Sequence, residues 1–182
     1  NQALDLIFGD LVTDPFSSGG FNSITIGDLN SLGSVRITGT TGLNFADRLT
    51  IASKDPNTDF ILNNYLRGTT NDASITIEGS GNTTILNANI ITADSPITIN
   101  DSVILGNNVI VNTNGTTGAP ITITGAIDGT LGTENLTLVA GSGAIDLQGA
   151  IGATTAIGGL TLQSTQIITL TDIAVNNGSL IL

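Results

Sequence analysis

The chain repeats a short apolar–polar–apolar pattern that is typical of a β-strand with one buried face. In a strand, residues i and i+2 point to one side and residue i+1 points to the other. The clearest copies are Ile121 to Leu138 (ITITGAIDGTLGTENLTL) and Ile145 to Leu162 (IDLQGAIGATTAIGGLTL), which share eight of eighteen aligned residues. Each triplet therefore predicts a short strand whose first and third residues are buried.

The triplet occurs seven times at a nearly constant spacing. Successive copies begin 25, 26, 22, 24, 24 and 23 residues apart, with a mean of 24. The first and third positions are all aliphatic and predict a buried core ladder: Ile24, Leu49, Ile75, Ile97, Ile121, Ile145 and Ile168, with Ile26, Ile51, Ile77, Ile99, Ile123, Leu147 and Leu170. The middle positions are all polar and predict an outward ladder: Thr25, Thr50, Thr76, Thr98, Thr122, Asp146 and Thr169.

This regular period predicts an all-β fold, a parallel β-solenoid wound as a right-handed β-helix of about seven coils. A fixed period of a few tens of residues indicates stacked repeats, in which each coil buries its apolar face on the next. A leucine-rich repeat would need a helix or its fixed Leu and Asn spacing, and neither is visible. A left-handed hexapeptide helix, with shorter coils of three hexapeptides each, is the alternative. Its support is a six-residue spacing of aliphatic residues: Ile85, Ile91, Ile97, Val103 and Val109.

The repeat divides the chain into two parts. Residues 1–23 do not keep it, and they are interpreted either as an N-terminal cap on the first coil or as an inter-subunit strand built on Leu4, Leu6 and Phe8. Residues 24–182 are predicted to form the β-helix. Within it, residues 24–74 are predicted to form decorated coils, which have turn-rich loops inserted between their strands, and residues 75–182 are predicted to form regular coils.

Composition narrows the function classes. The net charge is −11 and aromatic residues make up only 3% of the chain, so the core is aliphatic and neither nucleic acid nor an anionic membrane is an expected partner. No apolar run is long enough for a transmembrane helix. Cys, His and Met are all absent, which leaves no disulfide and no thiol. Because Met is absent, we expect a processed or excised piece of a longer protein. No signal peptide is seen.

The cations cluster in one part of the chain, since all four lie between residues 36 and 67. Turn-rich segments surround them, and these segments offer the best candidate for a small-ligand site. The alternative is that its members are solvated loop residues. The candidate residues are Arg48, Lys54, Asp59, Tyr65 and Arg67.

Catalytic groups are sparse. Without His there is no base for a nucleophilic triad, and the fifteen acidic residues include no local pair that predicts glycoside hydrolysis. The stretch Gly141 to Asp146 (GSGAID) superficially resembles a calcium-binding nonapeptide, but its Asp comes one residue late and the motif does not recur. We therefore predict no enzyme activity, no cofactor and no metal site.

The segment Gly125 to Ser164 (GAIDGTLGTENLTLVAGSGAIDLQGAIGATTAIGGLTLQS) resembles the repeats of large bacterial exoproteins of the filamentous haemagglutinin type. The resemblance lies in the style of the repeat and covers roughly residues 75–182. It implies a right-handed β-helical shaft at the surface of a Gram-negative-type bacterium, or secreted by it. It also implies a role in adhesion, aggregation or filament building. The family's secretion signature is not found, so this piece would be shaft.

The expected function is an extracellular structural or adhesive β-helical shaft that associates end to end. Its expected partners are further β-helical coils of the same or a longer chain, and a cell-surface or glycan ligand. The alternatives are a self-polymerising filament subunit, a polysaccharide-active β-helix enzyme and an ice-binding protein. Ice binding would need a second Thr in each coil, and only Thr124 and Thr171 supply it. End-to-end contact is predicted from a final apolar strand that nothing polar caps: Leu180, Ile181 and Leu182.

Overall fold

The computed structural model describes residues 4–7, 16, 19–28, 34–53, 59–79, 81, 83–176 and 178–182. The regular secondary structure of these described residues consists entirely of β-strands, which form three sheets. Sheet A contains β1 (Leu4–Ile7), β3 (Val35–Thr38), β6 (Asp59–Leu62), β9 (Thr83–Leu86), β12 (Ser102–Leu105) and β15 (Ile127–Gly129). Sheet B contains β2 (Ile24–Asp28), β5 (Leu49–Ser53), β8 (Ile75–Gly79), β11 (Ile97–Ile99), β14 (Ile121–Ile123), β17 (Ile145–Leu147) and β19 (Ile168–Thr169). Sheet C contains β4 (Leu43–Phe45), β7 (Leu66–Gly68), β10 (Ile90–Ile91), β13 (Val109–Asn112), β16 (Asn135–Gly141), β18 (Gly159–Ser164) and β20 (Leu180–Ile181).

The three sheets are the sides of a parallel β-solenoid, which confirms the predicted fold. From β2 to β16 the chain visits sheet B, then sheet A, then sheet C, and returns to sheet B one layer further along. In the last two coils the sheet A position is held by isolated bridges at Ile151 and Ile173. Neighbouring strands within each sheet are parallel, as in the pairing of β11 with β14. The seven strands of sheet B enclose about six full turns, and each turn has the period predicted from the triplets. The right-handed sense of the coil stays a prediction.

The register of sheet B is the alignment of the triplets. Ile97 pairs with Ile121 and Ile121 pairs with Ile145, so equivalent residues of successive coils lie side by side. Twelve of the fourteen core-ladder residues are buried, and the other two, Ile168 and Leu170, are partly buried in the last coil. The middle residues, such as Thr98 and Thr122, face outward.

The shorter coil of a hexapeptide helix is wrong, because Ile97 pairs with Ile75 on one side and with Ile121 on the other. Each of these partners is more than three hexapeptides away along the chain. The aliphatic residues that are six apart lie on different sheets, since Ile85 belongs to sheet A and Val109 to sheet C. Their spacing reflects the three sides of one longer coil.

Residues before the first triplet also take part in the stack. β1 pairs in parallel with β3, with Leu4 opposite Val35 and Leu6 opposite Ile37, so it is the end strand of sheet A within its own chain. The carbonyl oxygen of Phe16 accepts a hydrogen bond of 2.9 Å from the backbone N–H of Ala46. Phe16 also packs against the core. The described parts of residues 1–23 thus lie on the first coil, while Phe8 and Lys54 fall outside the described residues.

Close stacking of the coils fixes the residue type at some corners. Gly118 has a φ of 93°, in the left-handed region that favours glycine. A Cβ atom at this position would lie 2.1 Å from the carbonyl oxygen of Ala140 in the next coil. The corner between sheets C and B therefore requires glycine here for both conformation and space.

Candidate functional site

The C-terminal coil leaves the interior of the stack open. Core residues of the middle coils, such as Ile123 and Leu138, have no exposed surface, whereas Ile173 and Val175 of the last coil are only partly buried. No strand among the described residues pairs with the outer edges of β19 and β20. Three apolar residues here are more than half exposed: Ile167 at 73%, Ile181 at 54% and Leu182 at 71%.

A cleft of about 400 Å³ adjoins this open edge. β20 pairs only with Leu160 and Thr161 of β18, so the rest of β18 has a free backbone edge. Apolar side chains of Val139, Leu162 and Ile181 line the cleft. The free N–H and C=O groups of such an edge are able to pair with a further parallel strand.

Four of the five residues predicted as a small-ligand site lie in the described part of the chain, and these four do not converge. Arg48 lies just before β5 and forms an exposed ion pair with Asp72, with 3.3 Å between Nε and Oδ1. Such exposed pairs contribute about 0–1 kcal/mol. Arg67 lies in β7 of sheet C, Asp59 lies in β6 of sheet A, and Tyr65 precedes β7. Arg48 and Arg67 line separate clefts of about 310 and 250 Å³.

Asp94 clamps the corner of the following coil. Its carboxylate accepts hydrogen bonds from the backbone N–H groups of Thr116, Thr117 and Gly118 at 2.6–2.8 Å. These bonds, the one from Gly118 foremost, lower the pKa of Asp94 to about 2. Asp94 itself has a φ of 60°, which is uncommon for a residue other than glycine. The clamp therefore stabilises the ionised carboxylate and the next corner together.

Two other carboxylates hold corner loops in the same way. Oδ1 of Asp128 accepts from the backbone N–H groups of Thr154 and Thr155 at 2.9 and 3.1 Å. Glu134 accepts from the backbone N–H groups of its own loop, including those of Leu131 and Gly132. Burial opposes ionisation of Glu134, but these donors outweigh it and lower its pKa. These carboxylates therefore stabilise corner loops of the fold.

Asp101 is different, because it is buried and incompletely paired. It lies between β11 and β12 and is only 5% exposed. Its Oδ2 accepts a hydrogen bond of 3.2 Å from the Thr84 hydroxyl, while its Oδ1 has no partner among the described residues. Burial raises the pKa of Asp101 to about 6, and the bond from Thr84 only partly opposes this shift.

The described residues bring together no group of three or more acidic, His or Cys side chains that could hold a metal ion. Asp146, in the stretch that resembles a calcium motif, is half-buried and accepts a 2.8 Å bond from the Gln148 side chain. A membrane-spanning helix is likewise not found in the part of the chain that the structure describes. The outward ladder beside Asp146 consists of Thr hydroxyls on a regular sheet.

Sequence reasoning missed the corner carboxylates and Asp101. The clamps made by Asp94 and Asp128 link a carboxylate to backbone donors 22–27 residues away, so they depend on which turns meet in adjacent coils. Glu134 instead binds backbone donors one to three residues away in its own loop. A usable signal was present for Asp94, since its partners lie in the Gly-rich turn NGTTG, about one coil ahead. For Asp101, the signal was an acidic residue two positions after the core triplet Ile97–Ile99.

Three comparisons with known proteins found no match to this chain: no family model, no curated protein and no solved structure matches it. The resemblance to exoproteins of the filamentous haemagglutinin type has no support from them.

Proposed function

We propose that this chain is a structural module of an extracellular or cell-surface β-helical shaft, and that its C-terminal coil is continued by another β-solenoid coil. The observation that carries the proposal is the open end of the stack, where β19 and β20 have unpaired edges and Ile181 and Leu182 are exposed. A further coil would lie about 4.8 Å away and continue the ladders.

Burial supplies the driving force for this continuation. Fully burying one Leu or Ile side chain contributes about 1.5–3 kcal/mol. Ile168, Leu170, Ile173 and Val175 are already partly buried on one side, so a coil above them would complete their burial. The added coil comes either from the same polypeptide or from a second copy, and both fit the edge equally well.

The location and the adhesive role rest on sequence alone. The absence of Cys and the style of the repeat favour an exported bacterial protein. Immunogold labelling of intact cells is expected to mark the outer surface or extracellular fibres. Label restricted to the cytoplasm would contradict this part of the proposal and leave the end-to-end association untouched.

Sedimentation velocity of two matched variants tests the continuation. Leu180 faces the core side of sheet C at the open end and is 44% exposed, whereas Ile110 is 42% exposed on the outer face of the same sheet. Leu180→Lys places a charge on the open end and is expected to abolish concentration-dependent elongation. Ile110→Lys is the control and is expected to elongate like the unmodified chain.

Amide hydrogen exchange, combined with the association state, can contradict the proposed end-to-end continuation. If the isolated chain stays monomeric at millimolar concentration and the amides of Leu180 and Ile181 are already protected, the open-end argument fails. If Ile110→Lys blocks elongation as strongly as Leu180→Lys, the contact is not at the end.

A further inference from the structure

Sheet A carries an aliphatic column on its outer face. Strand pairing aligns Ile61 with Ile85 and Ile85 with Ile104 on β6, β9 and β12. The burial pattern alternates along each of these strands, so all three isoleucines point away from the core. They are nevertheless half-buried because they stack on one another. Sheet B has threonine in the corresponding place on most of its strands.

Polar residues border this column on both sides. One flank holds Thr83 beside Ser102, which are aligned by the same pairings. The other flank holds Asn63 and Asn87, whose side-chain amides are joined by a bond of 2.8 Å from Nδ2 to Oδ1. An apolar stripe with a polar rim is typical of an interaction surface.

Opposite charges close the two ends of the column. Arg36 is aligned with Ile61, and Asp128 is aligned with Ile104, so the outward order is Arg36, three isoleucines, Asp128. Nε of Arg36 is buried and has no partner among the described residues. On β1, Asp5 is the register neighbour of Arg36. Asp128 uses Oδ1 for the backbone of Thr154 and Thr155, and no bond to Oδ2 is found among the described residues.

From this arrangement we infer that the outer face of sheet A pairs with the same face of a second copy. The required symmetry is a two-fold axis that runs parallel to the strands, midway between two facing sheets at the level of Ile85. Such an axis reverses the order of the coils, so Ile85 meets its own equivalent and Ile61 meets the second copy's Ile104. Arg36 of each copy then lies opposite Asp128 of the other.

The spacing fits this pairing because both ion pairs form at once. Arg36 and Asp128 are four strands apart, about 19 Å at 4.8 Å per strand, and the reversed partner presents the same separation. Facing sheets pack about 10 Å apart, which isoleucine side chains fill from both sides. A two-fold contact of this kind closes on itself. It therefore gives lateral pairs of solenoids, distinct from the end-to-end continuation proposed above.

The size of the face sets the strength of the contact. Five strands at about 4.8 Å by three outward positions at about 6.6 Å cover roughly 480 Å² per copy, below the approximately 800 Å² per partner of a standard interface. The isolated chain should therefore dimerise weakly. Two shafts lying side by side would repeat the contact, which raises its effective strength without any new interaction.

Cross-linking through single cysteines tests the register, since the chain has no Cys of its own. With a short bismaleimide linker, Ile85→Cys alone is expected to give a covalent dimer, and so is a mixture of Ile61→Cys with Ile104→Cys. Ile61→Cys alone and Thr98→Cys on sheet B are expected to give little product. Equal yields from all four samples would overturn the proposal.

Charge exchange tests the symmetry independently. In a homodimer, Arg36→Glu brings two carboxylates together at each of the two contacts, and Asp128→Lys brings two cations together there, so each variant alone is expected to dimerise about tenfold more weakly. A mixture of the two variants restores both pairs and is expected to recover the dimerisation of the unmodified chain. If the mixture dimerises no better than either variant alone, the two-fold arrangement is wrong.

Two controls separate this contact from the end-to-end one. Circular dichroism of Asp128→Lys verifies that the fold survives loss of the acceptor for Thr154 and Thr155. Leu180→Lys is expected to leave the Ile85→Cys cross-link unchanged, while Ile85→Lys is expected to remove lateral dimers and leave elongation intact. Loss of both associations in either variant would show a single shared interface and contradict the lateral proposal.

Discussion

Sheet B presents threonine outward in most of its strands, whereas sheet A presents isoleucine outward in three consecutive strands between Arg36 and Asp128. Both sheets stack parallel strands of the same chain and bury an aliphatic inner face. The outer chemistry is therefore independent of the fold. In a β-solenoid, the inward-facing residues of each strand form the core. The outward-facing residues are free to vary and can form contacts with other molecules.

The largest expected effect breaks the inner ladder of sheet B. Ile123 is fully buried, so Ile123→Asp would place an unpaired charge in the core and is expected to lower the free energy of unfolding by about 4 kcal/mol or more. Its neighbour Thr122 faces outward, next to Asp146 of the following coil, and Thr122→Asp is expected to cost less than about 1 kcal/mol. Urea denaturation measures both changes, and equal losses would refute the inward and outward assignment.

The next effect concerns the corner where sheet B passes into sheet A. The pKa of Asp101 is raised to about 6, above its ordinary value of 3.8. The folded protein therefore keeps a proton that the unfolded chain releases, and stability falls as pH rises from about 4 to about 6. Relative to the unmodified chain, Asp101→Asn is expected to be more stable at pH 7 by about 1–2 kcal/mol, after allowing for solvent screening. At pH 4 the two should have similar midpoints, and a constant difference across this range would contradict the assignment.

A smaller, local effect is expected at the corner between sheets C and B. Because the pKa of Asp94 is lowered to about 2, the stability that its ionised form contributes is present above its ordinary pKa of 3.8 and is lost as pH falls through about 2. Asp94→Asn is expected to speed amide exchange at Thr116, Thr117 and Gly118 at neutral pH, because the anionic acceptor is gone. Amides of β14 serve as the internal reference and should be unaffected.

The smallest effect on the monomer comes from giving sheet A the outer chemistry of sheet B. Replacing Ile61, Ile85 and Ile104 together by Thr keeps a β-branched side chain at each position, so the unfolding free energy should change by less than about 1 kcal/mol. Thermal unfolding checks this expectation. A loss of several kcal/mol would mean that the outer column belongs to the core.

The same contrast explains how much of the fold could be predicted. In sheet B the polar middle residue, such as Thr122 between Ile121 and Ile123, displays the two-residue alternation directly. In sheet A the segment Asp59–Leu62 reads DFIL, and an aliphatic residue on the outer face hides the alternation. The period, the sheet B register and most of the core were therefore legible, while the division of the remaining strands between two sheets was not.

The candidate site was less legible for a similar reason. Arg48, Asp59 and Arg67 are near one another along the chain, but one coil spreads neighbouring residues over three faces. Residues that do meet across coils, such as Asp94 and Gly118, are 24 residues apart. Their pairing depends on which turns meet in adjacent coils, so the Gly-rich turn NGTTG predicts a partner for Asp94 only once the register of the coils is known.

The parallel strands of this molecule have a mechanical consequence. Their interstrand hydrogen bonds run along the solenoid axis, so a pull along that axis stretches the bonds between one coil and the next instead of sliding strands past each other. Under load, coils would peel away singly from an end, each releasing about 80 Å of extended chain. A shaft of this design would yield in small regular increments, and its remaining coils would stay wound while the freed length absorbed the force.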